Sequence, residues 1–226
     1  MVRKAQPRRS GRGRYTVSVD KLRAVGVFLC FFLFGSPIFA ADRPLLVCFG
    51  DSITAGYGLN AGESYPDALQ RDLDQQGYHY KVVNEGTSGA TTKDAVAKLP
   101  AIVAMHPAIV IVEFGGNDGL RGFPLDLTRQ NLDRVLTTLE TAHIRVLLAG
   151  ITLPPNYGSD YIHQFDQIFV DLAATHRTAT VPMIYRDLIK VPGTIQGDGI
   201  HPTAKGSQIV AKTLLTTLKP MLRKTP

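Results

Sequence analysis

Short apolar runs alternate with amphipathic helical patterns along residues 44–218, and this alternation restricts the chain to few folds. The runs are rich in Val, Ile and Leu on both faces, which predicts parallel strands covered by helices. The predicted strands are Leu45–Phe49, Tyr80–Asn84, Ala108–Phe114, Arg145–Ile151 and Thr180–Ile184. The predicted helices are Pro66–Gln76, Thr91–His106 with an interruption at Pro100, Leu127–Ala142, Tyr161–Thr175 and Thr203–Leu218. Together they indicate a single three-layer α/β domain.

The basic residues of the chain are concentrated at its N-terminus. The formal net charge is +6, but residues 1–40 hold eight Lys or Arg and one acid, which leaves −1 for residues 41–226. The domain itself therefore lacks the basic surface expected of a nucleic-acid-binding protein, and no nucleic-acid partner is expected.

Residues 1–40 have the pattern of a secretory signal peptide. A basic stretch precedes the apolar segment 24–34, and Gly35-Ser36-Pro37 and small residues follow, with a cleavage site after Ala40. The apolar segment is shorter than the roughly 20 residues that span a bilayer, although an uncleaved anchor remains an alternative. We expect a periplasmic or secreted domain, 41–226, with no stable membrane span after cleavage.

Polar residues follow the first three predicted strands. Ser52 comes after the first strand within Gly50-Asp51-Ser52, Gly89 after the second, and Asn117 after the third within Gly115-Gly116-Asn117-Asp118. Because ligands bind beyond the carboxyl ends of parallel strands, we expect these residues to share one site.

The residue types in these clusters suit nucleophilic catalysis by serine. A serine hydroxyl needs a base, and His201 is the best candidate, with Asp198 three residues earlier to orient its imidazole. The N–H groups of Ser52 and Gly89 and the side-chain amide of Asn117 are candidate oxyanion donors. No metal-binding or dinucleotide pattern is present in the sequence, so no metal or cofactor is expected.

These blocks resemble those of the SGNH (GDSL) hydrolases. The similar segments are 50–58, 84–92, Gly115-Gly116-Asn117-Asp118 and Asp198-Gly199-Ile200-His201-Pro202, and the resemblance covers essentially all of residues 44–220. Within the family, segments 113–123 and 153–158 look like the periplasmic thioesterases that are also described as arylesterases and lysophospholipases. The resemblance implies a flavodoxin-like α/β/α sandwich with a five-stranded parallel sheet. It also implies a catalytic triad of Ser52, Asp198 and His201, with Ser52, Gly89 and Asn117 as oxyanion donors.

Apolar residues near these blocks suggest the substrate. We expect Leu120 and Phe123 to form a lip over an acyl chain, helped by Leu153, Pro154, Pro155 and Tyr157, although packing onto the domain explains the first two equally well. The expected activity is hydrolysis of acyl esters and thioesters through an acyl-enzyme, by a chain with no obligate partner and therefore a monomer. A carbohydrate acetylesterase and a non-catalytic binding module are the alternatives.

Other reactive side chains are assigned structural roles. Cys48 lies within an apolar run and is expected to be a buried core thiol. Asp51 and Asp118 are expected to stabilise loops by hydrogen bonds. The remaining histidines have no ligand spacing and are expected at the surface or at helix ends: His79, His106, His143, His163 and His176.

Overall fold

Five parallel strands form the centre of the molecule in a computed structural model that describes residues 1–2 and 43–224. The predicted signal peptide and its cleavage site therefore lie almost wholly outside the described residues. The strands are β1 (Leu45–Gly50), β2 (Lys81–Asn84), β3 (Ile109–Glu113), β4 (Arg145–Ala149) and β5 (Ala179–Val181). Their order in the sheet is β2-β1-β3-β4-β5, with every neighbouring pair parallel.

Helices cover the sheet in two layers. The longer ones are α2 (Tyr65–Gln75), α3 (Thr92–Ala104), α5 (Leu125–Thr141), α6 (Ser159–His176) and α7 (Ala204–Leu218), and two short ones are α1 (Ser52–Ala55) and α4 (Gly116–Leu120). Helix α2 packs on α7, whereas α5 packs on both α3 and α6. Single turns of 3₁₀ helix span Pro155–Tyr157 and Lys219–Met221. The predicted three-layer α/β fold with a five-stranded parallel sheet is confirmed.

Burial follows the position of each strand in the sheet. All five residues of β3 are buried, as are Leu46–Gly50 of β1, because helices cover both faces of the central strands. Strand β2 lies at an edge, and its end residues Lys81 and Asn84 are exposed. The expectation of strands apolar on both faces therefore holds for the central strands and is wrong for this edge.

Two predicted element boundaries are wrong. Helix α3 continues through Pro100, although proline cannot donate its backbone hydrogen bond. Its neighbours Leu99 and Ile102 are buried in the core, and this packing compensates for one missing bond. The last strand, predicted as Thr180–Ile184, ends at Val181, because Pro182 has no N–H for a strand ladder.

The sequence patterns also missed the short helices α1 and α4. Helix α1 starts at Ser52, and α4 contains both Asn117 and Leu120. Helices this short carry no amphipathic period that a sequence pattern could reveal. Both begin within three residues of the end of a central strand, and so they determine where the polar residues of the motifs lie.

Candidate active site

The carboxyl ends of β1 and β3 lie side by side at the centre of the sheet. The chain proceeds from β1 outward to β2 and then returns to the other side of β1 at β3, so the strand order reverses between these two strands. Such a reversal leaves a crevice beyond the strand ends, where open α/β sheets bind ligands. Ser52 follows β1 and Asn117 follows β3, so both residues border this crevice.

Asp51 fixes the start of the helix that carries Ser52. Its Oδ1 accepts a hydrogen bond from the Ile53 N–H at 3.0 Å, which caps α1. Its Oδ2 accepts a second hydrogen bond, from Asn117 Nδ2 at 3.1 Å. One buried carboxylate therefore joins the segments that follow β1 and β3. This agrees with the hydrogen-bonding role expected for Asp51.

His201 connects Ser52 with Asp198. Its Nε2 lies 2.8 Å from Ser52 Oγ, and its Nδ1 lies 2.7 Å from Asp198 Oδ2. The other carboxylate oxygen of Asp198 accepts hydrogen bonds from the N–H groups of Ile200 and His201. Ser52 and His201 are 149 residues apart in sequence, and the fold brings them together as the sequence predicts.

The ionised carboxylate of Asp198 gives the triad a negative charge. Partial desolvation opposes ionisation, but the hydrogen bonds from the Ile200 N–H and from His201 outweigh it and lower the pKa of Asp198 to about 2. The carboxylate is therefore negative throughout the neutral range. A negative partner at Nδ1 holds the proton of the neutral imidazole on that nitrogen, which leaves Nε2 as an acceptor facing the serine hydroxyl.

The backbone N–H groups of Ser52 and Gly89 border the crevice and have no hydrogen-bond acceptor among the described residues. Gly89 adopts φ +79°, a left-handed conformation that glycine tolerates. Its carbonyl oxygen accepts from the Arg121 guanidinium at 3.0 Å. Unpaired N–H groups at a concave site can bind a negatively charged oxygen atom.

The amide of Asn117 is engaged more fully than the sequence suggested. Besides its bond to Asp51, its Nδ2 donates to the Ala90 carbonyl at 3.0 Å, so both of its protons have acceptors. The side chain lies at the crevice as expected, but an oxyanion would have to replace or share one of these acceptors. Asp118 lies behind it and accepts hydrogen bonds from the backbone and the hydroxyl of Thr92, as expected for a loop-stabilising residue.

A second carboxyl group, Glu113, lies beneath the crevice and was missed by the sequence analysis. Its Oε2 accepts from Thr54 Oγ1 at 2.8 Å and lies 3.4 Å from the Asp51 N–H. Burial and the neighbouring negative charge of Asp51 raise its pKa well above the usual value, while burial raises the pKa of Asp51 to about 6. A glutamate closing an otherwise apolar buried run was the signal that could have revealed it.

A cavity of about 570 Å³ opens beside Ser52 and His201. Four of the residues predicted to bind substrate line it: Leu120, Leu153, Pro154 and Pro155. Further apolar residues that the sequence analysis did not single out also line it, among them Met183, Tyr185, Ile189 and Ile195. They lie within residues 183–195, after the end of β5, in a segment without a regular pattern, which explains why no sequence signal marked them.

Two predicted substrate-binding residues do not line the cavity. Phe123 is 42% exposed and lies outside the wall that Leu120 contributes to. Tyr157 is also outside, but its hydroxyl donates to the Leu120 carbonyl at 2.8 Å, so it fixes a residue that does line the cavity. Of the two residues expected to form the lip, only Leu120, the last residue of α4, lines the cavity.

The remaining reactive side chains take no part in the site. Cys48 is fully buried, and desolvation strongly raises the pKa of its thiol. His176 lies at a helix end, as expected, since it is the last residue of α6; its side chain is 8% exposed and contacts the carboxylates of Asp133 and Glu140. No cluster of three or more potential metal ligands occurs within the described ranges.

Comparison with known proteins identifies the family. Residues 48–209 match the GDSL-like lipase/acylhydrolase family. The chain belongs to this family. It is an ester-hydrolysing enzyme of the serine type, which confirms the prediction from the motif blocks.

Individual relatives match over most of the chain. The esterase TesA of Pseudomonas aeruginosa is 42% identical over 184 residues, which cover 81% of this chain and 91% of TesA. Thioesterase 1/protease 1/lysophospholipase L1 of Escherichia coli K12 is 37% identical, with 81% and 87% covered. The crystal structure of TesA superposes with a TM-score of 0.76 at 41% identity, covering 79% of this chain and 99% of that one. Within the described part of this chain, no helix has the length and apolar character needed to cross a membrane.

Proposed function

We propose that Ser52 is the nucleophile, that His201 is the general base, and that Asp198 orients the imidazole. His201 Nε2 takes the proton of the Ser52 hydroxyl as Oγ attacks the acyl carbon. Collapse of the tetrahedral intermediate transfers that proton from His201 to the departing alcohol or thiol and leaves an acyl-serine. Water then attacks this ester, with His201 again as base, and releases the acid and the free enzyme. The unbroken contact from Asp198 through His201 to Ser52 is the observation that carries this proposal.

The negative charge that develops on the acyl oxygen needs donors that are already in place. The N–H groups of Ser52 and Gly89 donate no hydrogen bond to any other described residue. Asn117 contributes the third donor by exchanging its bond to the Ala90 carbonyl for one to the oxyanion. Removal of one such donor typically costs about 10²- to 10³-fold in kcat.

We propose a fatty acyl ester or thioester as the substrate. The cavity beside Ser52 is lined mainly by apolar side chains, which desolvate a hydrocarbon chain well and leave the hydroxyls of a sugar without partners. The relatives named esterase and thioesterase 1/protease 1/lysophospholipase L1 support acyl substrates on either an oxygen or a sulfur leaving group. The N-terminal segment supports export, so we propose a periplasmic or secreted enzyme.

The test is hydrolysis of p-nitrophenyl esters from acetate to palmitate by the domain 41–226, beside its Ser52→Ala variant. We expect kcat/KM to rise from acetate toward medium or long chains and to vanish in the variant. Activity confined to acetate would indicate a carbohydrate acetylesterase instead. Absence of activity on every ester would indicate a binding module.

Leu120 provides a sharper test of the acyl site. The variant Leu120→Ala removes an apolar contact of the cavity wall, so we expect about a tenfold loss of kcat/KM on a decanoate ester and little change on acetate. Leu127→Ala is a matched control, since Leu127 is 53% exposed and lies outside the cavity. An equal loss on both esters in Leu120→Ala would contradict the acyl-chain assignment.

A further inference from the structure

Gln196 connects the loop that carries His201 with the segment that carries Ser52. Its side-chain Nε2 donates to the Tyr57 carbonyl at 2.8 Å and to the Pro202 carbonyl at 2.9 Å, so both protons of the amide are used. Its backbone N–H donates to the His201 carbonyl at 2.8 Å. One residue thus holds both ends of the loop and joins it to a segment 139 residues away.

Tyr57 completes this connection from the other side. Its backbone N–H donates to the Ser52 carbonyl at 3.0 Å, which fixes Tyr57 to the end of helix α1. Its ring packs against the imidazole of His201 in a tilted arrangement, with centroids 4.6 Å apart and planes inclined by 39°. The face of a tyrosine ring attracts a cation, so the same contact favours the imidazolium that forms during proton transfer.

These contacts connect four residues in a ring of hydrogen bonds. Ser52 is bonded to Tyr57, Tyr57 to Gln196 and Gln196 to His201, and His201 Nε2 is bonded in turn to Ser52 Oγ. The loop is also held by the bridge between Ile195 and Pro202, by short-range hydrogen bonds, and by the Tyr185 hydroxyl, which donates to the Ile200 carbonyl at 2.9 Å. None of these contacts joins the loop to the segment of Ser52, so the distance between the base and the nucleophile depends on the contacts of Tyr57 and Gln196.

From this geometry we infer that Gln196 and Tyr57 are positioning residues, which hold the His201 imidazole within hydrogen-bonding distance of Ser52. The inference rests on the proposed roles of Ser52 and His201. Glycine at position 58 leaves room for the Gln196 side chain. A Cβ at Gly58 would lie 2.5 Å from Gln196 Oε1, so the amide would have to shift.

The first test is Gln196→Met, which keeps the length of the side chain and removes its two donors. A small displacement of the base lowers turnover without weakening substrate binding, so we expect kcat to fall about 10- to 100-fold with KM changed less than about threefold. Gln70→Met is the matched control, because Gln70 also joins two segments, α2 and β2, through its amide, but far from the cavity. That variant should lower the unfolding temperature and leave kcat unchanged.

The second test uses Tyr57, whose side chain is 54% exposed and can be changed without disturbing the core. Tyr57→Leu should lower kcat about tenfold, and Tyr57→Phe, which keeps the ring, should recover most of that loss. In the double variant of Gln196→Met and Tyr57→Leu, the loss should be smaller than the product of the single losses, since both act through His201.

Three results would overturn the inference. The first is a kcat in Gln196→Met that stays within about threefold of the wild type, which would give Gln196 only a structural role. The second is a Tyr57→Leu variant that changes KM with chain length but not kcat, because Tyr57 would then act only through the cavity wall, to which it contributes. The third is a double variant whose loss of kcat equals the product of the two single losses, because the two residues would then act independently. A wild-type protein without Ser52-dependent activity would instead refute the proposed function, so the two failures are distinguishable.

Discussion

The two halves of the site are held in place by different means. The nucleophile half (residues 50–54 and 113–118) follows two central strands, and its polar side chains Asp51, Thr54, Glu113 and Asp118 are nearly inaccessible to solvent. The base half (residues 194–202) is a surface loop, where the side chain of Asp198 is 38% exposed. Packing fixes the first half, whereas hydrogen bonds within and across the loop fix the second.

Because of this difference, the pKa values of Asp51 and Asp198 are shifted in opposite directions. Burial raises the pKa of Asp51 to about 6, because its charged form is removed from water. Partial desolvation also opposes ionisation of Asp198, but the donors of Ile200 and His201 outweigh it and lower its pKa to about 2. The exposed half therefore supplies the permanent negative charge that the triad needs, and the buried half supplies rigid geometry.

The largest expected effect comes from the exposed half. Asp198→Asn removes the carboxylate that holds the imidazole proton on Nδ1, so kcat should fall by about 10³- to 10⁴-fold. Hydrolysis of p-nitrophenyl butyrate measures this loss. Asp160→Asn, in the exposed first turn of α6, serves as a control that removes one charge elsewhere. A loss below about tenfold in Asp198→Asn would show that the loop needs no fixed charge.

The next effect contrasts the tolerance to added volume of the packing around α1, the helix that starts at Ser52, with that of the base half. A Cβ at Gly86 would lie 2.2 Å from the backbone nitrogen of Ala55 in α1, so Gly86→Ala should lower the free energy of unfolding by about 1–3 kcal/mol. A Cβ at Gly197 would meet no atom within 4 Å, so Gly197→Ala should be neutral or slightly stabilising. Urea denaturation compares them. Equal destabilisation by both variants would contradict the difference in packing.

The smallest expected effect is on the pH dependence of stability, which should differ between Asp51 and Asp198. Because the pKa of Asp51 is raised on folding, its contribution is complete below about pH 4 and is lost as the pH rises through about 6. Asp51→Asn should therefore make the fall in unfolding temperature between pH 4 and pH 6.5 smaller by roughly 2–4 °C. Glu113, whose pKa is also raised, retains part of that fall.

The contribution of Asp198 to stability should change with pH in the opposite direction. Its pKa is lowered on folding, so its contribution is present above about pH 4 and is lost as the pH falls toward 2. Asp198→Asn should flatten stability in that acidic range, by less than Asp51→Asn does in its own range, because solvent screens this partly exposed carboxylate. Thermal unfolding of both variants from pH 2.5 to 6.5 measures the two windows. A common window for both variants would contradict the opposite pKa shifts.

The sequence predicted the two halves unequally. The strands β1 and β3 were found from their continuous apolar runs, and the residues at their ends, Ser52 and Asn117, from the polar motifs that follow. Asp198 and His201 were predicted as a pair because two side chains three positions apart on a loop are close enough to share a hydrogen bond. The chemistry of the site was therefore predictable from local spacing and strand order.

What the sequence could not predict depends on contacts between distant segments. Gln196 has no pattern that pairs it with Tyr57, and Met183 and Ile189 lie in an irregular segment that folds over the cavity. Glu113 could have been suspected from its place in an apolar run, but its contact with Thr54 required the structure. Phe123 was assigned to the cavity from its neighbourhood in sequence, and the structure places it outside.

The central claim is that Ser52 is the residue that His201 activates for attack on an acyl carbon. An organophosphonate ester tests it directly, because it traps a nucleophilic serine as a stable covalent adduct that mass spectrometry can locate. We expect one adduct, on the peptide that contains Ser52, formed rapidly by the wild type and very slowly by His201→Ala. An adduct on another residue, or equally fast labelling of the His201→Ala variant, would contradict the account.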